Sequence, residues 1–169
     1  AQELMVRYVL KRDYDWKDGD EQAQKEALRK FGDFGKGWRP CYAEWLKFLA
    51  ALDHLHTKGM NVALIAHAVV GLFKNPEADD YNIYKSNLHD SEKTSLWART
   101  KEWCDLVFFF NYRVAVSKKN AEDKVGKSTM AKGSRARMVY TAKTATMECK
   151  VRAGWSFPDA FPLDYGQFA

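Results

Sequence analysis

The 169-residue sequence predicts an α/β domain: a mostly parallel sheet flanked by helices, closed on its C-terminal side by an antiparallel meander. Three observations lead there. An amphipathic helix over 40–58 stops at Lys58 and Gly59 and feeds directly into the apolar run MNVALIAHAVV, which is half of an α/β crossover unit. A further helix over 90–104 leads into the strand-like LVFFFNYRVAV at 106–116. MVYTAK (138–143) and TMECKVR (146–152) then complete a strand meander with it. No repeat or Pro/Ser linker divides the chain, so residues 1–169 read as one domain.

The elements follow in order. Leu4, Met5, Tyr8 and Val9 lie at helical spacing in AQELMVRYVLK. That helix starts without a cap, so the natural chain is expected to extend upstream. Residues 13–25 read as a polar loop and a weak helix start. FGDFGKGWRP at 31–40 packs glycines, aromatics and cations into a flexible loop. Pro40 suits the first turn of the next helix, and Tyr42, Trp45, Leu46, Leu49, Leu52 and Leu55 form its apolar stripe. The apolar run beyond Gly59 predicts a buried strand at 61–69, covered on both faces. Residues 71–93 predict a long irregular loop. The segment 117–137 predicts a basic hairpin, and 153–169, with Pro158 and Pro162, an extended aromatic tail.

Composition narrows the function. The sequence has 6 Trp, 8 Tyr and 10 Phe, which excludes intrinsic disorder. The longest apolar stretch, Val62–Phe73, is interrupted by His67 and falls short of the ~20 residues of a membrane span, so no membrane partner is expected. No basic-apolar leader opens the chain, and the three cysteines (Cys41, Cys104, Cys149) have no CxxC spacing. Both point to a reducing cytoplasm and to buried thiols. The net charge of +5 is concentrated. Residues 115–152 carry ten Lys and Arg against three acids, whereas 1–114 balance. Such a segment suits a polyanion or is a hairpin made soluble by charge.

Several motifs have two readings each. GKST at 126–129 is not a phosphate loop, because Ala121 stands where GxxxxGK[ST] needs glycine and Gly133 soon breaks any helix. His67 either satisfies a strand end or, at the carboxyl end of a central strand, meets a phosphate or water. No histidine has a carboxylate or cysteine partner at ligand spacing, so no metal site is expected. Lys150 and Arg152 flank Val151 on a predicted strand and so point the same way, as an anion clamp or as a solvated face. Phe31, Phe34 and Trp38, interleaved with Lys36 and Arg39, either stack bases or pack within their own loop.

Taken together, GKGW, the long helix leading into MNVALIAH, EWCD, and ECKVR before a Pro-rich tail resemble the phage-type AAA nucleotide-binding proteins, RecA-like recombination ATPases of the P-loop NTPase class. The resemblance runs from about residue 30 to the end. It implies ATP and magnesium as cofactors of the intact protein, single-stranded DNA as partner, and a homo-oligomeric ring or filament. It places His67 at the strand end that senses the γ-phosphate. It places Lys150 and Arg152 on the nucleotide of a neighbouring subunit, in the manner of an arginine finger. The loop containing Lys74 would be a second DNA-binding loop, and Phe34, Lys36, Trp38 and Arg39 would lie where the first one does. The basic hairpin adds Lys118, Lys119, Lys124, Lys127, Lys132 and Arg135 as phosphate contacts. Walker A and Walker B are absent from these residues, so the chain resembles the C-terminal part of such a core. By itself it is expected to bind no nucleotide and hydrolyse no ATP. The alternative is a non-enzymatic basic α/β module binding single-stranded nucleic acid.

Overall fold

The computed structural model describes residues 1–116 and 131–164, with the side chains of 114–116 and 131–135 outside the description. Two compact units divide the chain: residues 1–69 with 86–103, and residues 70–85 with 104–169. No helix among the described residues is long and apolar enough to cross a membrane.

The first unit is helical. Helices α1 (Gln2–Asp13), α2 (Glu21–Gly32), α3 (Trp38–Thr57) and α4 (Leu96–Trp103) build it. In α1, Val9 and Leu10 turn inward while Leu4 and Tyr8 face solvent. Arg12 bonds both Asp13 and Glu44, tying α1 to α3. Those carboxylates are thereby held below their ordinary pKa. Asp20 caps α2 by accepting from the Ala23 amide at 3.0 Å, and Ala27 and Phe31 are its buried residues. Helix α3 buries Cys41, Trp45 and Leu49, one residue per turn. It ends on Gly59, whose φ of +82° suits glycine. Burial pushes the Cys41 thiol up to about 11, so it is an inert packing group.

Helix α4 starts six residues later than the predicted start at 90, because residues 89–95 spend their polar side chains on a turn. Ser95 Oγ donates to Asp90 Oδ1 at 2.7 Å and accepts from the Ala98 amide at 2.8 Å. A buried chain of donors then joins α3 to α4: Trp45 Nε1 donates to Thr100 Oγ1 at 2.8 Å, and that hydroxyl donates to the Leu96 carbonyl at 2.7 Å.

The apolar run beyond α3 departs from expectation. Residues 61–67 form no strand, Ile65 is 100% exposed, and pairing begins only with β1 (Ala68–Phe73). Its partner is β2 (Tyr81–Ser86). Nor is β1 covered on both faces, since Val70 and Leu72 are each 60% exposed. The irregular loop expected over 71–93 is instead largely this hairpin. Tyr81 and Ile83 turn inward from β2 between exposed Asn82 and Tyr84, an alternation masked in sequence by the acids before it.

The second unit holds β3 (Leu106–Val107), β4 (Phe109–Val116), β5 (Ala131–Tyr140), β6 (Lys150–Val151) and β7 (Ala160–Pro162). The meander is present but differs in its third member. Strand β4 pairs antiparallel with β5, and β5 takes β7 from the tail (Val139 opposite Phe161). The 146–152 segment yields only β6, which pairs antiparallel with β3 (Val107 opposite Lys150). The sheet expected to be mostly parallel is therefore three small sheets among the described residues, and the isolated Tyr84–Met147 bridge is a parallel contact outside them. The physical reason is burial: a parallel sheet needs strands covered on both faces, and the run expected to supply one, 61–67, lies unpaired and mostly exposed.

Candidate functional site

Lys150 and Arg152 both reach the segment that enters β3. Lys150 Nζ donates to the Cys104 carbonyl at 2.7 Å. Arg152 Nη1 lies 2.6 Å from Asp105 Oδ1, and its amide donates to the Asp105 carbonyl at 3.0 Å. The two cations are thus anchored on adjacent residues, but differently. Lys150 is part-buried and bound to backbone, which fixes it. Arg152 is about half exposed in a solvent-facing ion pair, of a kind worth about 0–1 kcal/mol. Burial raises the Cys104 and Cys149 thiols above their ordinary pKa, so neither offers a nucleophile.

Beside these cations lies an open cleft of about 560 Å³. Lys143, Trp155, Ser156 and Phe157 line it along with Lys150 and Arg152. Sequence reading missed Lys143 and Trp155 as site residues. The signal available was the spacing of Lys150, Arg152, Trp155 and Phe157, two cations and then two aromatics at alternate positions.

His67 lies in the first unit and Lys150 and Arg152 in the second. His67 is exposed and directly precedes β1 instead of ending a central strand. Its carbonyl accepts from the Asn87 amide at 2.8 Å, closing the base of the β1–β2 hairpin. Lys74 is exposed just beyond β1.

The aromatic-basic segment is split by the fold. Phe31 is buried at the end of α2, and Trp38 opens α3 with its ring stacked on His89 (centroids 3.6 Å, planes 3° apart) and edge-on to Phe31 at 5.5 Å. Trp38 is therefore a packing residue, contrary to its expected place in a base-stacking loop: one of its faces is already taken. Gly37 permits this, since a Cβ there would come within 2.3 Å of the Phe31 ring. Phe34 is the opposite case. It is 92% exposed, carries φ of +49°, and has Lys36 Nζ 5.7 Å from its ring. A bulky residue in the left-handed region costs about 1–2 kcal/mol, and such strain gathers at working positions. Arg39 is exposed beside it. Lys118, Lys119, Lys124 and Lys127 lie outside the described residues. Lys132 and Arg135 are placed on β5 by backbone alone.

His89 ties α4's approach to both α1 and α3. Its amide donates to Gln2 Oε1 at 2.8 Å, and its Nε2 lies 3.2 Å from the Ser91 and Thr94 hydroxyls. Burial lowers its pKa below the ordinary histidine value. The unfolded chain therefore takes up the proton first, so stability is complete above the unfolded pKa of about 6.5 and falls as pH drops through it. Urea midpoints measured at pH 7.5 and 5.5 should show this loss, and His89→Gln should shrink it. An equal loss in the variant would remove His89 as its source.

Among the described residues no cluster of three His, Cys, Asp or Glu side chains is placed to hold a metal ion. No curated protein and no solved structure matches the chain. A family model described as an AAA domain matches residues 5–153, spanning both units and including Lys150 and Arg152. That span is most of the sequence, and the chain belongs to this AAA-domain family of nucleotide-binding, ATPase-like proteins.

Proposed function

We propose that this chain works within a RecA-like recombination or replication ATPase of phage or bacterial type, a ring or filament of identical subunits that binds ATP and single-stranded DNA. The AAA-domain match over 5–153 carries the reading. The phosphate loop and magnesium ligands come from polypeptide outside these 169 residues, because no GxxxxGK[ST] occurs within them. Arg152 leaves Asp105 for the phosphates of a neighbouring subunit's nucleotide, and Lys150 holds the strand end from which it reaches. His67, at the foot of the β1–β2 hairpin, couples nucleotide state to Lys74 on the same hairpin. Sequencing the gene upstream of Ala1 tests the scheme: absence of a phosphate-loop motif removes the ATPase.

Single-stranded nucleic acid is bound through Phe34, Lys36 and Arg39 together with the basic hairpin. The strained, solvent-facing Phe34 ring favours this, and it also supports the second reading, a basic module that binds a strand without catalysis. Titrating a labelled oligothymidylate at several salt concentrations should give a log–log slope of about −5 to −6, from the eight cations assigned to phosphate contact. Phe34→Ala should weaken binding by about 1–3 kcal/mol through lost stacking. A flat salt dependence would remove the phosphate contacts, and an unaffected Phe34→Ala would remove the stacking role.

A further inference from the structure

We propose that the cleft beside β6 is a nucleotide-recognition pocket of this chain in its own right, in which Trp155 stacks the base while Lys143 and Arg152 hold the phosphates. The proposal rests on the reading of Arg152 as a phosphate ligand, and it adds the base platform and a second cation. It departs from the expectation that the chain alone binds no nucleotide.

The volume of about 560 Å³ is that of a small-molecule site. Lys143, Lys150 and Arg152 line it against one acid, Asp159, so it suits an anion. Lys143 is exposed and Arg152 is only loosely paired. The aromatic wall makes the anion a planar one. Trp155 is 58% exposed, yet its backbone and ring are both held. Gly154, with φ of +96°, turns the chain, and the Trp155 amide donates to the Arg152 carbonyl at 3.3 Å. The indole lies parallel to Phe157 (centroids 6.2 Å, planes 6° apart), and Phe157 packs edge-on against Phe108 at 5.4 Å. A supported ring left open to water, one turn from a guanidinium, is a stacking platform next to a phosphate site. The Ser156 hydroxyl in the same wall is available to a sugar.

Calorimetric titration of the 169-residue chain with ATP, inorganic triphosphate and adenosine tests this. ATP should bind more tightly than either fragment. Trp155→Ala should weaken ATP by about tenfold or more without changing triphosphate, and Trp155→Phe should stay within about threefold of the parent. Lys143→Ala should weaken ATP and triphosphate alike, by about fivefold to tenfold. Excess oligothymidylate should leave bound ATP in place. The proposal is overturned if ATP fails to bind, if Trp155→Ala binds it as the parent does, or if the oligonucleotide displaces it, which would assign the cleft to a strand. Should Trp155 and Lys143 prove silent while Arg152→Ala weakens triphosphate, the cleft falls and the phosphate role of Arg152 survives. Should Arg152→Ala be silent too, both fall.

Discussion

Arg152→Ala in the assembled, full-length ATPase is expected to lower turnover by about 10³-fold or more, the range for a charge supplied to a phosphoryl-transfer transition state by a neighbouring subunit. Nucleotide binding by the full-length enzyme should survive, because there the phosphate loop supplies most of the ground-state hold and Arg152 acts chiefly on developing charge. The ground-state contribution of Arg152 is read in the 169-residue chain, where no such loop masks it. The structure separates this residue from its neighbour. Arg152 is held by a half-exposed pair with Asp105, whereas Lys150 donates to the Cys104 carbonyl from a part-buried position. Lys150→Ala should therefore act through the β3–β6 pairing, lowering stability as well as turnover, while Arg152→Ala leaves the unfolding midpoint unchanged. Arg152→Lys should recover little, since an ammonium lacks the planar fork. Turnover equal to the parent in Arg152→Ala would end the proposed role, and an equal loss of stability in both variants would make Arg152 structural.

The parts of the fold legible in sequence are those whose signal is local. Helix α3 could be read because Cys41, Trp45 and Leu49 recur on one face and Gly59 supplies the left-handed stop. The β4–β5 pairing followed from two strand-like runs joined by a basic connection. What failed depends on partners distant in sequence. Hydrophobicity at 60–73 states that the run avoids water, not what covers it, and the structure leaves Ile65 and Leu64 exposed. Whether 146–152 joins the meander or pairs with β3 is decided by the tail, whose Phe161 takes the place opposite Val139.

The site shows the same division. Alternation predicts only that Lys150 and Arg152 point the same way. Their unequal attachment was not legible, because it depends on Cys104 and Asp105 far upstream. Trp38 and Phe34 look equivalent in an aromatic-glycine segment. Only His89 and Phe31 show that one packs while the other is displayed.

Leu96→Ala is expected to cost about 3 kcal/mol, within the span observed for deleting a fully buried leucine side chain. Leu96 is 0% exposed and forms a core with Trp45 and Leu49, closed by Trp38, Tyr42, Phe48 and Trp103. Five aromatic side chains surround it, with Met5, Leu49, Leu52 and Leu88 beside them, and two of the rings are tied down. Trp45 is fixed to Thr100 and Trp103 to Asp53 by indole N–H bonds of 2.8 and 2.7 Å. Such a site collapses poorly around a cavity, which puts the cost above that of a softer aliphatic site. The Leu96 carbonyl also accepts the Thr100 hydroxyl, so a shift of the helix start would unsettle the polar chain behind the core. Tryptophan fluorescence reads this event directly, because five of the six tryptophans belong to this unit. The urea midpoint should fall by about 1.5 M at a slope near 2 kcal/mol/M. Leu96→Met should lose less than about 1.5 kcal/mol, and Leu4→Ala on the solvent face of α1 less than about 0.5. A Leu96→Ala midpoint as high as that of Leu4→Ala would mean that α4 is not packed on α3 as described.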